Sequence, residues 1–141
     1  MSFVIAARSI SSIPAWPWLE LVARWALASP FLISGLTKLT NFADATAEVA
    51  ALGLQPAAWT AGAVILTQLA GSTLFLTRRF CWIGAVLLGG FTLVATLLAH
   101  PFWASGVAER GHQVATFFEH VGLVGGVALA ALFVHRGQAP S

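Results

Sequence analysis

The chain has 141 residues, enough for one domain. It is 58% hydrophobic and 9% charged, against about 25% charged residues in an average soluble domain, which excludes an ordinary soluble enzyme. A net charge of +2 spread over scattered basic residues excludes a nucleic-acid surface, and a single cysteine, Cys81, excludes disulfide chemistry within the chain.

The first residues, "FVIAARSISSIPAWPW", do not read as a cleaved signal peptide. They suit a segment lying on a membrane surface. A helix needs about 20 apolar residues to cross the hydrocarbon core. Trp18–Leu39 is the first stretch of that length. Its charges sit at its ends: Glu20 and Arg24 at one, Lys38 at the other. Glu20 precedes Arg24 by four residues, the favourable order for a structural ion pair on a helix. Pro30 removes the hydrogen bond to the Ala26 carbonyl, and a kink is expected there.

A short amphipathic helix, Ala43–Leu52, should follow, ended by Gly53 and Pro56. Ala57–Thr77 and Phe80–Ala99 are the second and third spans, and neither carries a charge. Val114–Val134 is the fourth. The segment between the last two, with His112, reads as a loop, and so does His135 after the fourth span. Trp16, Trp18, Trp59, Trp82 and Trp103 all fall near span ends, as an aromatic belt requires. The expected fold is an all-α, integral membrane four-helix bundle in a single domain. Arg8, Arg78, Arg79 and Arg136 gather on the side of the termini, which the positive-inside rule makes cytoplasmic.

Each span carries small or polar residues at helical spacing. These are Arg24, Ala28, Phe31, Ser34, Gly35 and Lys38 in the first, and Ala61, Val64, Gln68, Gly71 and Ser72 in the second. In the third they are Ala85, Gly89, Thr92, Thr96 and His100, and in the fourth Glu119, Gly122, Gly126 and Ala130. Small residues let helices approach closely in lipid, so these stripes should face inward, with Gly35, Gly71, Gly89, Gly122 and Gly126 as packing positions. A homodimer face is the competing reading for the fourth stripe. Inward stripes would bring Lys38, His100, Glu119 and His120 together near the outer interface, with Gln68 deeper. Glu119 wants a partner there, and Lys38 or a histidine is the natural one.

"RWALASPFLISGLTKL", "GLQP", "HPFW" and "FFEHVGLVGG", in this order and spacing, resemble the DoxX family. Ser34-Gly35-x-x-Lys38 and His100-x-x-Trp103 are the most telling pieces. The resemblance implies a small four-span protein of the bacterial inner membrane. It also implies a link to quinones, because the family takes its name from a subunit of an archaeal terminal quinol oxidase. A related branch is associated with thiosulfate:quinone oxidoreductase. Relatives often carry Glu where this chain has Gln68, and Lys-Asn where it has Glu119-His120.

The functional and plain readings stand side by side. Lys38 can meet a quinol hydroxyl or snorkel to the headgroups. His100 and His120 can hydrogen-bond a quinone, or cap a helix end and pack. Trp25 and Phe31 read as packing residues. The candidate ligand-binding set is Lys38, Gln68, His100, Trp103, Glu119 and His120, with no metal site and no covalent cofactor expected. The chain carries no flavin or metal motif, so a quinone-linked role requires a redox protein partner. A non-enzymatic scaffold, a small transporter component and a homo-oligomer remain as alternatives, all within a lipid bilayer.

Overall fold

The computed structural model describes residues 17–137. The expected surface-lying segment, with Arg8 and Trp16, lies outside the described residues. The chain forms α1 (Pro17–Thr40), α2 (Phe42–Ala51), α3 (Ala57–Leu76), a 3-10 turn (Arg78–Phe80), α4 (Cys81–Ala99) and α5 (Val107–Arg136). All four long helices are apolar enough to cross a membrane. They pack in the order α1, α3, α4, α5, with α5 closing back on α1, and α2 lies against α3 and α1.

α1 is helical straight through Pro30. The Ala26 carbonyl that the proline leaves without a donor accepts from Ser29 Oγ at 2.8 Å. Hydrocarbon offers no water to such a carbonyl, so a nearby hydroxyl is the local remedy.

The inward stripes of the first three spans are observed. Arg24, Ala28, Phe31 and Gly35 are buried in α1, Ala61, Gln68, Gly71 and Ser72 in α3, and Ala85, Gly89, Thr92 and Thr96 in α4. Close approach is tightest between α3 and α4. A Cβ on Gly84 would stand 2.2 Å from the Phe75 backbone nitrogen, so only glycine fits. Gly35 and Gly71 face the side-chain ends of Leu69 and Leu88, where a Cβ would come within 2.8 and 2.9 Å, a milder crowding that a leucine can relieve by moving.

Of the fourth stripe only the second half faces inward. α5 buries Val127, Ala131 and Val134, packs Ala130 against the same core and turns Glu119 and Gly122 outward. Among the described residues no atom of another element lies within 4 Å of a Cβ placed on Gly122, although one on Gly126 would meet Leu27 at 3.0 Å. Gly122 is therefore not a packing position inside the bundle. Small residues permit close approach, but they do not compel it. α5 also begins at Val107 rather than Val114, so His112 is helical and not in a loop. His135 belongs to its last turn. Trp25 is 52% exposed and faces outward rather than packing inside.

At the end where α1 begins, Arg24 is 3% exposed. Its Nη1 donates to the carbonyls of Phe75 at 3.2 Å and Leu76 at 3.0 Å. Those carbonyls end α3 and have no partner within the helix. Glu20 sits 3.4 Å from Arg24 and 3.6 Å from Arg78, joining the two.

Candidate functional site

A cavity of about 400 Å³ opens in the half of the bundle next to α2. That volume lies within the roughly 300–1,000 Å³ usual for small-molecule sites. Four candidate residues line it: Lys38 from the end of α1, Gln68 from α3, His100 from the end of α4 and His120 from α5. Phe31 and Phe91 add an edge-to-face ring pair, centroids 6.4 Å apart.

Helix register places these side chains. Ser34 and Lys38 are one turn apart on α1, and Thr92, Thr96 and His100 follow at four-residue steps on α4. Gln68 is buried and donates from Nε2 to Ser34 Oγ at 3.1 Å. Its Oε1 is buried with no hydrogen-bond partner among the described residues. A buried polar atom left unpaired costs about 1–3 kcal/mol, so this position invites a donor. Thr96 Oγ1 donates to the Thr92 carbonyl at 2.5 Å and lies 2.9 Å from His120 Nδ1. A threonine hydroxyl has one proton. With that proton on Thr92, the pair is satisfied when His120 carries its own on Nδ1. His100 Nδ1 lies 2.8 Å from Gln113 Oε1, a pair that the Nδ1–H tautomer satisfies. In those tautomers Nε2 of each ring is an acceptor. The two rings stand edge to face with centroids 5.2 Å apart. Among the described residues they are not joined into a group of three or more His, Cys, Asp or Glu.

Two candidates lie elsewhere. Trp103 sits in an aromatic cluster with Phe102 and Phe117, at 5.1 and 6.1 Å between centroids, on the turn between α4 and α5. Glu119 is exposed on the outer side of α5, because the helix is rotated away from the expected face. The expected pairing of Lys38 with Glu119 is replaced by one with Glu48 of α2, whose carboxylate Oε2 accepts from Lys38 Nζ. Glu48 also lines the cavity. It stands on the amphipathic helix that the sequence outlines, but its reach back to α1 depends on how the chain turns at Asn41.

Four apolar helices around a polar-lined cavity define a multi-pass membrane protein of the helical-bundle class. The DoxX family profile matches residues 19–101, more than half of the chain. The chain belongs to the DoxX family. The matched stretch contains Lys38, Gln68 and His100 and ends before α5, which carries His120. Neither a search of curated proteins nor a search of solved structures returns a match.

Proposed function

We propose that this DoxX protein holds the ring of a membrane quinol in the cavity beside α2, as the quinone-site subunit of a redox complex in a bacterial inner membrane. One observation carries the reading: the buried Gln68 Oε1 on the cavity wall is an acceptor with no hydrogen-bond partner among the described residues. The Lys38 ammonium and the imidazoles of His100 and His120 share that wall. A flat apolar ring bearing hydroxyl donors answers Gln68 Oε1, and hydroquinone is such a ring. A quinone, with only carbonyl acceptors, leaves it unanswered. Phe31, Phe91 and Leu123 supply apolar lining for the ring.

Oxidation of a bound hydroquinone releases two electrons and two protons. The imidazoles of His100 and His120 and the Glu48 carboxylate line the cavity and are the bases for the protons. The electrons pass to a partner redox protein. The gathering of Arg24, Arg78, Arg79 and Arg136 at the opposite end supports cytoplasmic termini and an outward-facing cavity.

The test is direct titration of the purified protein in detergent with a short-chain quinol and the matching quinone. The quinol should bind more tightly. Gln68→Leu and His120→Phe should each weaken it about fivefold or more, the loss of roughly one good hydrogen bond. Glu119→Gln, outside the cavity, should leave binding unchanged. Equal affinity for both redox forms, or indifference to Gln68 and His120, removes the reading.

A further inference from the structure

A second hollow lies on the outside of the bundle, between α4 and α5. Its volume is about 800 Å³. It begins at Arg79, Trp82 and His135, at the end where α5 finishes, and runs to Leu93 and Val124. From Trp82 to Leu93 is eleven residues, or about 16 Å of helix. Half of a hydrocarbon core is about 15 Å. The groove therefore spans one leaflet, from headgroup level to the membrane centre.

Its walls are apolar and its mouth is cationic. Trp82, 58% exposed, stands at the depth where indoles mark the interface. The Arg79 guanidinium lies 5.8 Å from the centroid of the Phe80 ring and is exposed. Among the described residues no carboxylate lines the groove. Gly90 is exposed in the groove, and among the described residues nothing lies within 4 Å of where its Cβ would be.

We propose that this groove binds one anionic glycerophospholipid, its phosphate at Arg79 and His135 and an acyl chain along α4 over Gly90. The charge at the mouth matches a phosphate, and the length matches a chain within one leaflet. A second copy of the protein fits poorly. Two copies related by an axis along the membrane normal would bring like surfaces together, concave on concave and Arg79 level with Arg79.

The experiment uses delipidated full-length protein in detergent, titrated with phosphatidylglycerol or phosphatidylcholine of equal chain length and read by native mass spectrometry. One phosphatidylglycerol should bind in preference to phosphatidylcholine. Arg79→Gln should lower that preference about fivefold, the usual worth of one basic residue near an anionic lipid. Gly90→Leu puts a side chain into the open space of the groove, so it should reduce binding of both lipids and leave their ratio intact. Equal binding of the two lipids overturns the proposal, and so does a Gly90→Leu protein that binds lipid like the wild type. A dimer that excludes lipid in wild type and separates in Gly90→Leu overturns it in favour of a second copy.

Discussion

Lys38 closes the end of α1 onto Glu48 of α2, ten residues further along the chain, rather than onto Glu119 of α5. The pair ties the short helix to the bundle at the cavity wall. Glu48 is 59% exposed, so its Coulomb gain is largely screened. A double-mutant cycle with Lys38→Met and Glu48→Gln should give a coupling of about 0.5–1 kcal/mol in detergent unfolding. The corresponding cycle between Lys38 and Glu119 should show none. A sizeable Lys38–Glu119 coupling would contradict the orientation of α5.

Glycines that look alike in sequence should behave in opposite ways. Gly84→Ala forces a methyl into the Phe75 backbone and should cost at least about 2 kcal/mol or prevent folding. Gly122→Ala meets nothing and removes a flexible residue from a helix. It should leave stability unchanged or raise it by up to about 1 kcal/mol. Thermal unfolding of the two variants in one detergent separates them.

Arg24 should be among the least replaceable residues. Arg24→Met keeps much of the apolar stem and removes the donors to Phe75 and Leu76. Hydrogen bonds to a charged group are worth roughly 1.5–3 kcal/mol, so a loss of about 3 kcal/mol is expected. Arg24→Lys should recover only part of it, because one ammonium cannot reproduce the planar fork. Full recovery by lysine would show that charge, rather than geometry, holds the end of α3.

Thr96 should set the tautomer of His120. Nitrogen NMR of histidine-labelled protein should show the proton on Nδ1 of His120. Thr96→Val removes the hydroxyl that accepts it and should abolish that preference while leaving the His100 signal in place. Finding the proton on Nε2 in the unaltered protein would show that the Thr96 hydroxyl donates to His120 Nδ1 instead of to the Thr92 carbonyl.

The spans, the short helix and three inward faces are legible in the sequence because they rest on contrast. Ser34, Gln68, Ser72, Thr92 and Thr96 stand out against an apolar background, and polar groups in a membrane helix turn to one another. α5 lacks that contrast. Its buried positions, Val127, Ala131 and Val134, are as apolar as those facing lipid, while its polar and small residues Glu119 and Gly122 are on the outside. Lys38, Gln68, His100 and His120 meet because helix ends fix their depth, and depth is readable by counting. The partner of Lys38 is not, because it depends on a turn of the chain at Asn41. Gly84 is invisible for a similar reason: only the neighbouring backbone shows that nothing larger fits.

α5 has 30 residues, a rod of about 45 Å for a hydrocarbon slab about 30 Å thick. Hiding that length by leaning alone would need a steeper slope than spanning helices usually adopt. Its opening turns, with Glu109, Arg110 and His112, suit water better than oil. On that face the molecule ends in a helical post rising through the headgroup layer. The amides of this post should exchange with solvent while those from Phe117 onward stay protected.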